Sequence, residues 1–276
     1  MSDETRPPRP GAAYDAAYAH YASTVQTEVR QEAFGEDIGQ NSWLTVDEYR
    51  RFIGWLALRP EAHVLDVASG SGGPSLFLAR ETGCRLTGID VNDNGVANAN
   101  RLARERGMES RVCFRQADAG RPLEFADETF EALVCIDAIN HLRDRSRVLA
   151  EWRRVLRPGG GLLFTDPITV TGILTNEEIA VRSSIWFFLF TPEGADERLM
   201  GSVGFELLRR EDVTENMALV ARRWHDARAR RRDAMLQIEG TETFDGSQKF
   251  LAVAHTLAAE RRLSRFVFHA RKPQTG

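Results

Sequence analysis

The chain has little cysteine, almost no lysine, few tyrosines and no long apolar run. Its three cysteines, Cys84, Cys113 and Cys135, are an odd number at wide spacing, each inside an apolar stretch that reads as a strand. That pattern excludes a disulfide framework and offers no metal-ligand spacing; it fits buried free thiols in a reducing cytoplasm, and no metal is expected. No stretch of about 18 apolar residues occurs, so no membrane span is expected. Residues 1–11 are polar and proline-rich without an apolar core, which reads as a disordered lead-in and not as a signal peptide. Lys249 and Lys272 are the only lysines and every other basic residue is arginine, a bias of genome composition more than of function. A formal net charge of −4 argues against a general nucleic-acid binder. No repeat and no proline- or serine-rich linker divides the 276 residues, which read as one domain with additions, a monomer or a homodimer.

What is present is organised around residues 64–76. An apolar run, Val64, Leu65 and Val67, breaks into Ala68-Ser69-Gly70-Ser71-Gly72-Gly73-Pro74, and a helical pattern begins at Leu76. This is strand, tight turn, helix. Gly70 and Gly72 can adopt angles closed to other residues and let a ligand approach bare backbone, and the helix behind them presents unpaired N–H groups. A dinucleotide fingerprint would need glycine at position 75, where the chain has Ser75. An acid, Asp66, stands at the end of the strand instead.

From residue 62 the pattern alternates strand and helix, which implies a parallel sheet with helices on both faces and right-handed crossovers. The expected strands end at Asp66, Asp90, Ala117 before Asp118, Ile136 before Asp137, and Thr165 before Asp166. Ahead of them, residues 12–34 read as a helix with Tyr14, Tyr18 and Tyr21 on one face. The polar loop Phe34–Trp43 follows, and then a helix opened by a capping box at Thr45-Val46-Asp47-Glu48. After strand five a second capping box, Thr175 to Glu178, opens an apolar helix through Ile185–Phe190. Thr191-Pro192 starts another helix ending near Gly204, arginine-rich and further helices span about 214–237 and 247–262, and strands close the chain at Phe205–Leu208 and Arg265–Ala270. The expected organisation is a helical lid over 12–60, an α/β core over 61–170 and a helical cap with the final strands over 171–276.

Three strand ends carry acids at the crevice where ligands bind open α/β sheets. Asp90 can accept from a ribose diol, Asp118 from an adenine amino group, and Asp66 can order the turn or meet an ammonium group; for any one alone, a helix cap is the plainer role. As an ordered set, Asp66 to Gly72, Gly88-Ile89-Asp90, Gln116-Ala117-Asp118, Ile136-Asp137-Ala138 and Leu156-Arg157-Pro158-Gly159-Gly160-Gly161 resemble the successive motifs of class I S-adenosylmethionine (SAM) methyltransferases. Ala68 stands at the motif's first glycine position, which a side chain tolerates if that residue keeps a negative φ. The resemblance implies a Rossmann-like seven-stranded sheet with its last strand antiparallel. It also implies SAM as cofactor, S-adenosylhomocysteine (SAH) as product, and cofactor contacts from Gly39, Gln40, Asp66, Ala68, Gly70, Gly72, Asp90, Val91, Asp118, Ala119 and Asp137.

Asp137-Ala138-Ile139-Asn140-His141-Leu142 is similar, more narrowly, to the small-molecule methyltransferases that include phosphoethanolamine and sarcosine/dimethylglycine N-methyltransferases. That likeness implies a catalytic His141 partnered by a lid tyrosine, for which Tyr21 is the best placed. The tyrosines and basic residues by which phosphobase enzymes hold phosphate after strand five are missing at Asp166-Pro167-Ile168. The cap offers Trp186, Phe187 and Phe188, with Arg182 and Lys249 as nearby cations, which suits an apolar acceptor or an amine held by cation–π contacts. The expected activity is methyl transfer to an N, O or C nucleophile of a small molecule, with His141 near neutral pKa as general base. The alternatives are an NAD-dependent oxidoreductase, which Asp90 would also serve, or a non-catalytic SAM-binding protein.

Overall fold

The computed structural model describes residues 18–274; the expected lead-in and Tyr14 lie outside the described residues. In chain order the elements are α1 (Thr24–Phe34), α2 (Val46–Leu56), β1 (His63–Val67), α3 (Gly73–Thr82), β2 (Arg85–Asp90), α4 (Asp93–Glu105), β3 (Val112–Gln116) and β4 (Phe130–Cys135). A single 3₁₀ turn, Ile139–His141, precedes α5 (Arg145–Val155), β5 (Leu156–Val170), α6 (Asn176–Arg182) and β6 (Thr191–Pro192). The chain finishes with α7 (Ala195–Ser202), β7 (Glu206–Asp212), α8 (Thr214–Arg230), α9 (Arg232–Ala259) and β8 (Leu263–Arg271).

The strands form one sheet in the order β3-β2-β1-β4-β5-β8-β7, with the two-residue β6 beside the end of β5. β1 to β5 are mutually parallel, and β8 runs antiparallel to both β5 and β7. Chain order reverses between β1 and β4, so a crevice opens at their C-terminal ends, where Asp66 and Asp137 stand. One face of the sheet packs on α2 to α4 through Phe52, Phe77 and Val64, and the other on α5 through Trp152, whose ring lies edge-on to Phe164 at 6.1 Å. Phe164 in turn stacks on Phe268 at 4.8 Å, joining β5 to β8. Each such apolar side chain contributes about 1.5–3 kcal/mol on full burial.

Local sequence signals hold where their partners are local. Asn92 caps α4 through the Gly95 N–H at 2.9 Å, Asp144 caps α5, and Thr175 with Glu178 forms a complete capping box. Thr45 sits at the α2 N-cap without a side-chain bond, and the carboxylate of Glu48, the expected reciprocal partner, binds Arg265 instead. The expected helix over 12–34 is interrupted by a turn at His20–Ala22, and α1 starts only after the Ser23 cap. The aromatic stretch Ile185–Phe190 is not helical: the Leu189 N–H bonds Asn140 O at 2.8 Å and Thr191-Pro192 pairs with Thr169-Val170, drawing the segment out along the sheet. Thr191-Pro192 is therefore strand, and the helix expected to start there begins at Ala195. The sheet has eight strands by virtue of β6, β5 extends to Val170, and α9 is one long element broken at Gly240 (φ 76°). Arginines of α8 and the α8–α9 junction pair with acids: Arg228 with Glu239, Arg230 with Glu32, and Arg231 with Glu28 and Glu32.

Candidate active site

The glycine-rich turn bridges β1 and α3. Gly70 N–H donates to Asp90 Oδ2 at 2.8 Å, and the Asn92 N–H to Asp90 Oδ1 at 2.8 Å, so the acid ending β2 anchors the turn and its own loop. Burial raises the Asp90 carboxyl pKa, while these amides pull it back. The Ala117 N–H donates to Asp90 O at 2.9 Å, which places Asp118 and Ala119 next along the same crest. Asp118 is exposed and accepts from Gly120 N–H at 2.9 Å; Ala119 is buried, and Val91 is 51% exposed for an apolar residue.

Asp66 is buried, accepts the Ser75 hydroxyl, and is pushed up to about 7 by burial against that bond, with Asp90 raising it further. Ser75 thus fills the third-glycine position of a dinucleotide turn with a hydroxyl bound to the strand-end acid. Ala68 departs from expectation: its φ is +59°, in the left-handed region, where the turn's geometry demands what glycine supplies freely. Gly72 (φ 76°) has no room for a side chain, since a Cβ would lie 2.7 Å from that of Ala99 and 2.8 Å from Phe114. The buried hydroxyls of Ser69 and Ser71 in the turn, and of Tyr49, which is close enough to Asp66 for their charges to interact, have no partner among the described residues. Such orphaned groups beside two strand-end carboxylates fit a polar ligand bearing hydroxyls and an ammonium, as SAM does.

The lid meets this turn closely. The Gly39 Cα has φ 84°; a Cβ there would collide with the Tyr21 hydroxyl, and one on Gly73 would fall 2.2 Å from Ile38 O. Tyr21 donates to Gly39 O at 3.1 Å under the Arg30 guanidinium, and burial raises its phenol pKa. The expected partnership of Tyr21 with His141 is therefore replaced, in this arrangement, by one with Gly39. Tyr18, expected on the same helical face as Tyr21, brings its hydroxyl within 2.8 Å of where a Gly70 Cβ would be and covers the turn. Gln40 is wholly buried, its side chain accepting Ile38 N–H at 2.9 Å and donating to Glu36 O at 3.0 Å, so that side chain staples the loop.

Asp137, at φ 52° after β4, is likewise committed to protein groups: Trp43 N–H at 2.9 Å, Thr165 Oγ1 at 2.7 Å and Arg265 Nε at 2.7 Å. Four residues on, His141 Nδ1 lies 2.9 Å from Phe187 O. Its ring is edge-on to Phe188 at 4.9 Å and to Trp186 at 6.0 Å. Burial lowers the imidazole to about 4; the Phe187 carbonyl opposes this and Arg182 adds to it. The expected near-neutral pKa is thus corrected downward. Arg182 is fully buried, its guanidinium 4.3 Å from the Phe250 ring, 5.4 Å from Phe188 and 5.7 Å from Trp43. Phe187 is partly exposed under Arg143 at 4.5 Å, and Lys249 is exposed on α9 while Phe250 beside it turns inward.

Residues 64–160, which hold the turn, all three acids and His141, match the family described as "Methyltransferase domain". The chain is 38% identical over 157 residues to "Methyltransferase GfsG" of Streptomyces halstedii, covering 55% of each protein. It is 30% identical over 152 residues to "27-O-demethylrifamycin SV methyltransferase" of Amycolatopsis mediterranei, covering 52% of this chain and 56% of that one. The matches thus span about half the length of these relatives. Among solved structures, Haemonchus contortus phosphoethanolamine N-methyltransferase 2, with phosphomonomethylethanolamine and SAH, superposes with a TM-score of 0.79 at 20% identity, over 95% of this chain and 60% of that one. With its strand order, its antiparallel β8 and its ordered motifs, the chain has the class I methyltransferase fold, and its residues 64–160 are the part that matches the methyltransferase-domain family.

Proposed function

We propose that the protein methylates a hydroxyl group of a small, largely apolar molecule, with His141 as general base. The observation that carries this reading is the bond from His141 Nδ1 to Phe187 O. A neutral imidazole bonded to a carbonyl must carry its proton on Nδ1, which makes Nε2, with the Asn140 amide nitrogen 3.4 Å away, the ring's acceptor nitrogen. Bound SAM supplies an electrophilic methyl carbon on a positively charged sulfur. Asp90 and Asp118 suit its ribose and adenine, Val91 and Ala119 its ring faces, and the bare backbone at Gly70 its methionine part. His141 Nε2 takes the hydroxyl proton as the acceptor oxygen forms its bond to the methyl carbon and the carbon–sulfur bond breaks, giving SAH. Alignment of acceptor and methyl by the lid and cap is worth roughly 7–11 kcal/mol of barrier.

The charge of the acceptor is constrained by Arg182. The faces of Trp43, Phe188 and Phe250, which would otherwise hold a cationic amine, already surround a guanidinium. A cationic amine entering beside His141 would find these aromatic faces already taken, so a neutral acceptor is favoured over a cationic one. An O-methylating relative accords with this. The test is incubation with methyl-labelled SAM and matched panels of hydroxyl and amine compounds, read by mass spectrometry. Label on hydroxyl oxygens is expected. Equal kcat/KM on cationic amines would overturn the acceptor class, and SAH binding without transfer to any compound would leave a binding protein.

A further inference from the structure

Arg265 is wholly buried on β8, far in sequence from every motif above. It donates from Nε to Asp137 at 2.7 Å and from Nη1 to Glu48 at 2.6 Å. Both carboxylates reach further. Asp137 accepts the Trp43 N–H at 2.9 Å; Glu48 accepts Asn216 Nδ2 at 3.0 Å, and the same nitrogen donates to Trp43 O at 2.8 Å. Both backbone polar groups of one lid-loop residue, Trp43, are therefore held by a single buried cluster. That cluster spans α2, the β4 end, α8 and β8. Trp43 closes the loop that carries Gly39 onto Gly73, and its ring stacks on Phe250 at 6.3 Å. Arg265 is itself fixed through its backbone, with Val213 N–H on its carbonyl at 2.9 Å and its N–H on Thr214 Oγ1 at 3.0 Å.

Buried ion clusters of this kind are poor sources of stability, since desolvation offsets their attraction; their better-attested use is to specify one arrangement. Burial raises the Glu48 carboxyl pKa and Arg265 pulls it back, so the cluster is held against a desolvation cost. We propose that Arg265, Glu48 and Asn216 are positioning residues that latch the lid loop at Trp43 to the sheet and so govern release of the cofactor product. This rests on the methyltransferase reading. The guanidinium fork is essential to it, because one planar group must reach two carboxylates at once. A lysine keeps the charge but not the fork.

The experiment compares wild type, Arg265→Lys and Asn216→Ala, first checked for folding by circular dichroism and thermal melting. Two quantities are read: the SAH dissociation rate by stopped-flow tryptophan fluorescence, and hydrogen exchange of the Trp43 amide without ligand. A latch predicts at least tenfold faster SAH release and at least tenfold faster exchange at Trp43 in both variants, with melting temperatures close to wild type. Folded variants with wild-type exchange at Trp43 overturn the latch. So does normal SAH release, even if exchange rises. Failure of the wild type to bind SAH brings down the methyltransferase reading instead, while the exchange measurement still decides whether the loop is latched.

Discussion

His141 Nδ1 and the Phe187 carbonyl oxygen, 46 residues apart, are 2.9 Å from each other, and this bond joins the crevice to the cap. Phe187 lies in the irregular segment held by Asn140 O and by Arg145 Nη2, which donates to Leu189 O at 3.3 Å. The orientation of the imidazole therefore depends on the path of the cap segment. A neutral ring is set up by the same burial that makes it a weak base, so its value lies in placement and tautomer more than in proton affinity.

His141→Ala should lower turnover on a hydroxyl acceptor by roughly 10²–10⁴-fold, while SAH affinity by calorimetry stays near wild type. With the imidazole at about 4, it is already deprotonated above pH 6, so the wild-type rate should be flat from pH 6 to 8 as far as this group is concerned. The rising limb belongs near pH 4. A limb centred on pH 6.5 that disappears in the alanine variant would mean that the ring is far less shielded than its surroundings indicate.

Asp90→Ala removes the acceptor for two loop amides as well as the proposed ribose contact. Charge-assisted hydrogen bonds of this kind are worth roughly 1.5–3 kcal/mol, so SAM affinity should fall by about 10- to 150-fold. Calorimetry showing unchanged affinity would take Asp90 out of the site and leave it as a loop anchor only.

Ala68 offers a stability test of the turn. A non-glycine residue in the left-handed region costs roughly 1–2 kcal/mol, and glycine recovers this at an entropic cost of about 0.5–1 kcal/mol. Ala68→Gly should therefore gain a few tenths to about 1 kcal/mol in urea unfolding. A loss of stability would show that the Ala68 methyl packs more than its strain costs.

The sheet and the cofactor crest were legible because their signals are local: apolar runs, the glycine turn and acids at strand ends, all read from neighbours. What was not legible depends on distant partners. The helical promise of Ile185–Phe190 lost to a bond with Asn140 and to pairing with β5, and the Glu48 carboxylate binds Arg265, 217 residues on, instead of closing a capping box. Gln40 and Asp137 were the right residue types in the right place, yet the protein itself uses their side chains. Tyr18 and Tyr21 shared one helical face in the sequence, and only the turn at His20–Ala22 shows that Tyr18 is directed to Gly70 and Tyr21 to Gly39.

The last prediction concerns the cluster that shapes the cap segment from below. Arg145 Nη1 lies 2.6 Å from Asp166 and 2.7 Å from Asp196, with all three side chains buried. Two acids share one cation there. Burial and the neighbouring Asp166 hold Asp196 up to about 7, against the pull of Arg145. A carboxyl raised in the folded state favours folding most strongly below its ordinary value of 3.8, and that contribution is lost as pH rises through about 7. Stability to urea should accordingly fall between about pH 4 and 7. Asp196→Asn, which carries no proton to lose, should flatten part of that slope. Asp66, also raised to about 7 by burial, acts in the same sense and keeps the remainder. His141, lowered from 6.5 to about 4, acts oppositely across that range and offsets about one of the two carboxyls below pH 6.5, so the slope is steepest between pH 6.5 and 7. Arg145→Met leaves both acids without their cation and should cost about 3–5 kcal/mol at pH 8, and less at pH 5, where one of them takes up a proton. A pH-independent loss in Arg145→Met, together with an unaltered slope in Asp196→Asn, would show that the two carboxyls do not compete for a single charge.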